Sequence, residues 1–238
     1  MKRIFLSVVL CILTFSWVAA FNPERYTLNV GDFSELEIVD NISVIHRCNA
    51  DSAGMAVFTA TSDVVPCLIF TNKKEKLKIE WNIDMNVPVT ESPVITVYSK
   101  IIVSVENCGD NTVYVENPSP GALFKARVVG NGTIAVKNIY TTQTEASLDT
   151  GKGNIILEGT TRVSKFKNIG KGVINALNLQ SDDCTVTLLG TGKIECFANR
   201  ELTIKGMGSG SVYVKGNPAI KKRAIGSIDV IKTEEQKP

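Results

Sequence analysis

Apolar and polar residues alternate in short bursts along most of this chain, and in its second half the bursts come into register with one another. The segments CGDNTVYVEN, GNGTIAVKN, GKGNIILEG, GKGVINALN, GTGKIECFAN, GSGSVYVKGN and AIGSIDV follow one scheme. A Gly-x-Gly step is followed by a polar or small residue (Val173 excepted), then apolar, variable, apolar. The second glycine position is Asn111, Gly132, Gly153, Gly172, Gly192, Gly210 and Gly226. Counted from it, the residues at +2 and +4 are Val113/Val115, Ile134/Val136, Ile155/Leu157, Ile174/Ala176, Ile194/Cys196, Val212/Val214 and Ile228/Val230, all apolar. The residue between them is mixed: Tyr114, Ala135, Ile156, Asn175, Glu195, Tyr213 and Asp229. This alternation predicts strands with one face in a core and the other in solvent. A recurrence about every twenty residues predicts that the strands belong to stacked repeats.

Position −2 is Gly109, Gly130, Gly151, Gly170, Gly190 and Gly208, then Ala224. Glycine there predicts a corner whose backbone angles other residues avoid. A second corner is predicted at Asn117, Asn138, Asn178, Asn199 and Asn217. Their amides either stack into a ladder broken at Gly159 or serve each its own loop. Twenty residues at about 3.3 Å each close a path of about 65 Å, which suits one coil of two or three short strands. A leucine-rich repeat would need Leu-x-x-Leu-x-Leu, and a calcium-binding roll would need a nine-residue period; neither is present. The chain is therefore read as all-β: a single-stranded, right-handed parallel β-helix, or solenoid, with about 20 residues per coil.

Residues 21–108 repeat less cleanly. Phe33, Leu36, Ile38, Ile42, Val44, Leu77, Ile79, Trp81, Ile83, Ile95, Val97, Ile101, Val103 and Val105 sit in short alternating segments, with Tyr98 and Ile102 on the opposite face. A solenoid must cover its ends, so this half is read as irregular N-terminal coils that cap the stack, with a separate β-sandwich as the alternative. The regular repeats run over 109–231, and 232–238 is a polar tail.

Composition adds the compartment. Lys2 and Arg3, the apolar run from Ile4 to Val18, and Val18-Ala19-Ala20 make residues 1–20 a secretory signal. A membrane anchor would need a longer run, and a lipoprotein reading of Cys11 is disfavoured by bulky Leu10 before it. The chain has 26 basic and 24 acidic residues. Loss of Lys2 and Arg3 balances them, which argues against a nucleic-acid or anionic-membrane partner held by bulk charge. The basic run Lys221-Lys222-Arg223 reads as a solvated turn. Five cysteines remain after the signal: Cys48, Cys67, Cys108, Cys184 and Cys196. Cys184 and Cys196 fall on inward positions, either as small buried residues or as a bridge between neighbouring edges. Without a Cys-x-x-Cys and with His46 as the only histidine, no metal site is expected.

Catalysis of the kind some β-helices perform on polysaccharides would need paired carboxyls. Glu116 and Glu158 share position +5 two coils apart; Glu195 and Asp229 share position +3; Asp182-Asp183 are adjacent in a turn. All read as solvated surface groups, and His46 as an ordinary strand side chain. The Gly-x-Gly steps lack the Gly-Lys-Ser/Thr pair of a phosphate loop. Tyr114 and Tyr213 face outward but five coils apart, and Trp81 is the one tryptophan after the signal, so no aromatic track for sugars is visible. The column between the glycines, Asp110, Asn131, Lys152, Lys171, Thr191 and Ser209, reads as a solubilising edge.

The stretch Gly208-Ser-Gly-Ser-Val-Tyr-Val-Lys-Gly-Asn-Pro218, followed by Ile220-Lys-Lys and Gly226-Ser-Ile-Asp-Val, resembles the putative auto-transporter adhesin, head GIN domain family, a domain of unknown function common in Bacteroidetes. The opening Phe33-x-x-Leu-x-Ile-x-x-x-Ile-x-Val and the Leu77-Lys-Ile79 step also fit, and the resemblance spans most of residues 30–231. It implies an exported β-helical protein of the bacterial envelope, located in the periplasm, at the cell surface or outside the cell. It brings no catalytic residues. The expectation is a non-catalytic scaffold for binding or adhesion, with no cofactor, no nucleic acid, no membrane span, and an envelope glycan or surface protein as partner. The alternatives are a carbohydrate-active β-helix enzyme and a self-associating structural element.

Overall fold

The alternating bursts become strands in the computed structural model, which describes residues 22–82 and 92–233. The expected signal 1–20, Ile83 and the tail beyond Thr233 lie outside the described residues. The strands are β1 (Glu24–Asn29), β2 (Glu35–Ile38), β3 (Ser43–Cys48), β4 (Met55–Ala60), β5 (Leu68–Lys73), β6 (Lys76–Trp81), β7 (Val94–Ser99), β8 (Ser104–Asn107) and β9 (Thr112–Val115), then β10 (Gly121–Val129), β11 (Thr133–Thr150), β12 (Asn154–Asn168), β13 (Val173–Gly190), β14 (Lys193–Phe197), β15 (Glu201–Gly208), β16 (Ser211–Lys215), β17 (Ala219–Gly226) and β18 (Asp229–Lys232). They form a β-solenoid of about six turns with roughly 20 residues per coil.

In the second half every coil pairs in parallel with the next. Ile134 is in register with Val113 on one side and Ile155 on the other, Ile155 with Ile174, Ile174 with Ile194, and Ile194 with Val212. All are fully buried. Each such side chain contributes about 1.5–3 kcal/mol relative to its exposed state, so the column of isoleucines and valines is the spine of the fold. Thirteen of the fourteen predicted inward residues are buried, and Val230, on the last coil, is half-buried.

The two glycines of each corner answer different demands. Gly130, Gly151, Gly190 and Gly208 hold positive φ, but Gly109 and Gly170 do not, so the −2 position is not uniformly a left-handed corner. The second glycine is needed for closeness instead: a Cβ on Gly172 would stand 2.1 Å from the carbonyl oxygen of Gly153. Buried asparagines brace this corner from within. Asn168 donates from Nδ2 to the Gly172 carbonyl and accepts at Oδ1 from the Gly170 N–H, at 2.9 and 3.1 Å. Asn107 does the same for Gly109 and Asn111.

Several expectations are corrected. Gly226 pairs with Gly208, and Val212 with Val230, so the last unit is two residues out of phase with the alignment above. Ile228 stands where the other coils have their second glycine and is buried at the end of the core. The asparagine ladder does not run along the stack. Asn138 donates to Asn117 at 2.5 Å, and both have positive φ. Beyond them, Asn178 is in register with Glu158, and the Asn199 backbone N–H donates to the Ser181 backbone carbonyl, not to another ladder asparagine. Lys221-Lys222-Arg223 lies inside strand β17, and Asp182-Asp183 inside β13. In the first half the alternation changes phase at Lys100–Val103, which is not strand: Ile102 is buried while Ile101 and Val103 are exposed.

The first half also departs in connectivity. β2 pairs in parallel with both β6 and β8, and β3 with both β7 and β9. The coil made by β2 and β3 is thus sandwiched between later parts of the chain. Antiparallel pairs β1–β4, β4–β7 and β5–β6 finish this end. At the other end the last coil carries lysine at two inward positions: Lys222 opposite Ile204, and Lys232 opposite Val214. Lys222 Nζ turns to the Ile228 carbonyl at 2.6 Å and Lys232 Nζ to Asn217 Oδ1 at 3.3 Å. Inward charges on a terminal coil block the addition of another sheet, which tells against end-to-end stacking at this end.

Candidate functional site

Two corners recur from coil to coil. One is the Gly-x-Gly corner. At the other, the ladder shifts register between Val136 and Ile139 and again between Ile156 and Glu158. Gly159, at φ 137°, lets the backbone bend there with its α-carbon against the Ile139 carbonyl. The strands then run on through this corner as continuous extended chain. Here the structure opens a groove of about 560 Å³, within the size range of ligand sites.

The groove is built from two outward columns. Tyr140, Thr160 and Gln180 are register partners, and Thr142, Arg162 and Asp182 stand two residues further along the same strands. All six are exposed, about 4.8 Å from coil to coil. Pro120 closes one end and Asn199 the other. Its floor rests on hydroxyls, all but that of Thr141 buried. Thr141 meets Thr144 at 2.8 Å and Thr161 at 3.1 Å; Ser181 meets Ser164 at 3.0 Å and donates to the Phe197 carbonyl at 2.6 Å. Hydroxyls that satisfy each other cost little when buried and fix the bend, so the outward side chains sit on a rigid base.

The acids weighed in the sequence are not brought together. Glu116 is paired with Arg47 at 2.7 Å. The hydrogen bond from Arg47 lowers its carboxyl, opposite to the raised value a general acid needs. Lys137 lies between it and Glu158. Glu195 is opposite Tyr213, whose next partner is Ile231; Asp229 pairs with Ser211, so the proposed Glu195–Asp229 column does not exist. Glu195 is held by Lys193 at 2.7 Å. Asp183 is ion-paired with Arg200, whose hydrogen bond holds its carboxyl below the usual range, while neighbouring Asp182 faces the groove.

His46 points into the core, with Nε2 at 2.8 Å from Ser99 Oγ and no partner for Nδ1. Burial lowers its pKa to about 4, so it is neutral at ordinary pH. Tyr114 and Tyr213 share one column, five coils apart, as expected from their spacing; Tyr213 lies beneath Lys193. The five cysteines are free thiols. The Cys184 thiol and burial together push the Cys196 thiol well above its ordinary range. Among the described residues no group of three or more His, Cys, Asp or Glu side chains could hold a metal, and no helix is long and apolar enough to cross a membrane.

The groove residues escaped the sequence reading. A signal was present: Tyr140, Thr160 and Gln180 each fall seven or eight residues after a second glycine, each followed by two further polar residues. The one-residue change in offset, caused by the register shift, hides the column.

Known structures share this architecture. A putative adhesin from Bacteroides fragilis superposes with a TM-score of 0.78 at 21% identity, over 88% of this chain and 97% of that one. A putative lipid binding protein from Parabacteroides distasonis gives 0.70 at 20% identity, over 90% and 97%. A putative adhesin from the same species gives 0.67 at 17% identity, over 90% and 98%. No curated protein matches the sequence. Residues 32–218 match the family described as putative auto-transporter adhesin, head GIN domain, and the chain belongs to that family.

Proposed function

We propose that this chain is an exported, non-catalytic envelope protein whose solenoid presents the corner groove to an extended glycan of the envelope. The observation that carries the reading is the groove's lining. An exposed tyrosine ring is followed at coil spacing by Thr160, Arg162, Gln180 and Asp182, a mixed set of donors and acceptors beside an aromatic face. Such a set suits hydroxyl-rich ligands. Strand-borne side chains on a hydroxyl-braced floor pay little ordering cost on binding. The paired carboxylates elsewhere are held ionised by arginines, which favours binding over hydrolysis. In this reading 21–108 caps the stack, 109–231 supplies the regular coils, and the protein works in the periplasm, at the surface or outside the cell.

A glycan and envelope-extract array probed with residues 21–238 tests it. A bound glycan should lose at least about tenfold in affinity, one 1.4 kcal/mol contact, with Tyr140→Ala or Arg162→Ala. Turnover of a polysaccharide that stops with Asp182→Asn would replace this reading with the enzyme. Glycan binding unchanged by either groove variant would remove the groove from it.

A further inference from the structure

A line of exposed apolar side chains runs along the Gly-x-Gly edge. Leu189, Met207 and Ile225 are register partners in three successive coils. Ile169, following the partner of Leu188, takes the same place one coil earlier. They are 36%, 61%, 74% and 38% exposed in that order, and the line extends about 14 Å at the usual strand spacing. A continuous apolar row on a solvent edge is unusual enough to mark a contact surface.

Cations line one side of the row and one end of the other side, where Thr191, Ser209 and Ser227 fill the remaining places. Lys167, Lys205 and Arg223 stand two residues before Ile169, Met207 and Ile225 and face the same way by strand alternation. Lys171 stands two residues after Ile169, and Lys152 takes the same corner position one coil earlier. All five are exposed. The salt bridges of the described residues engage other cations, among them Lys125, Arg127, Lys165, Lys193, Arg200 and Lys221. Asp149, whose carboxylate also feels the charge of Lys167, is ion-paired with Arg127 at 2.6 Å. The chain's formal net charge of only +2 therefore conceals a local excess of positive charge around an apolar ridge.

We infer that this edge docks the protein on an anionic lipid bilayer, the ridge entering the headgroup boundary while the flanking cations meet lipid phosphates. A cationic row alone would suit any polyanion; the apolar row beside a cationic flank selects a surface that is anionic outside and apolar beneath. The strands carrying the ridge run about seven residues from the other corner, so docking by this edge leaves the groove free.

Residues 21–238, which contain every described strand and lack the apolar run 4–18, are the material for the test. The readout is co-sedimentation with vesicles of phosphatidylethanolamine with and without phosphatidylglycerol. Binding should require phosphatidylglycerol. It should fall on the order of 100-fold with Lys167→Gln/Lys205→Gln/Arg223→Gln, about fivefold per cation. It should also fall with Met207→Asn/Ile225→Asn and stay unchanged with Lys137→Gln. A single Met207→Trp, which needs no loss of binding, should shift its emission to the blue on anionic vesicles, read as the difference from the parent chain, which keeps Trp81. Equal binding to both vesicles, or no blue shift, overturns the inference. Binding that depends on the cations but not on Met207 and Ile225, and is fully displaced by dextran sulfate, also overturns it and assigns the edge to an acidic polysaccharide.

Discussion

In the regular stack a strand finds its partner in the preceding unit, as Ile155 finds Ile134; in the first half Glu35 finds Lys76 and Ser104, far along the chain. Both regions bury the same kind of isoleucine and valine column, yet only one of them repeats. The difference lies in what constrains the sequence. Where successive units stack on each other, all but the first and last supply the same glycine corner to clear a neighbour's carbonyl, as Gly172 clears Gly153. Where the chain inserts one coil between two later ones and ends in antiparallel pairs, no unit has to match the one before it. Interactions in the stack are nearest-neighbour; those of the first half are tied through β2 and β3 to distant segments.

The largest expected effect separates the two regions. Ile155→Asp buries an unpaired carboxylate and should cost more than about 4 kcal/mol, with hydrogen-exchange protection lost in adjacent coils and kept in β2 and β3. Leu36→Asp should cost as much but strip protection from β6 and β8 together. Identical protection maps for the two variants would erase the contrast. Gly172→Ala follows. Its Cβ would meet a backbone oxygen that cannot move without shifting a coil, and about 2–4 kcal/mol should be lost in chemical denaturation, against overpacking costs of about 1–3 kcal/mol. A loss below about 0.5 kcal/mol would show that the corner relaxes.

The first half carries a histidine-linked pH dependence, which sets in at higher pH than that of the ion-paired carboxylates Asp149, Asp183 and Glu201 in the second. His46 is the single histidine, and burial takes its pKa from 6.5 unfolded to about 4 folded. The unfolded chain therefore binds the proton more readily. Stability is complete above about pH 6.5 and declines as pH falls toward 4, by about 3 kcal/mol in all. Urea titrations should show this slope above pH 5, before most carboxylates titrate, and His46→Gln should remove it. A slope that survives the substitution belongs to another group. The smallest effect is Lys152→Asp, an exposed corner residue, which should change melting by less than about 0.5 kcal/mol. A loss comparable to Ile155→Asp would contradict the assignment of faces.

The parts legible in sequence were those fixed by periodic sterics: the inward column, the glycine corner and the coil length. What stayed hidden was set by register. The phase of the last coil turned on Ile228 taking a glycine's place, and a 16-residue gap from Gly210 to Gly226 looked like a short repeat when the true partner of Gly226 is Gly208. The Glu195–Asp229 pairing failed for the same reason. The groove was hidden because Tyr140, Thr160 and Gln180 shift offset by one across a bulge. The apolar ridge escaped because Ile169, Leu189, Met207 and Ile225 look like any scattered surface hydrophobics until the strands are paired.

Methyl-labelled NMR on isoleucine reaches the stacking itself. With only isoleucine δ1 methyls visible, Ile134, Ile155, Ile174 and Ile194 should form an unbroken chain of cross-peaks, each to the next, because adjacent coils lie about 4.8 Å apart. Absence of the Ile134–Ile155 and Ile155–Ile174 cross-peaks in a folded sample would contradict a coil that returns to the same edge about every twenty residues.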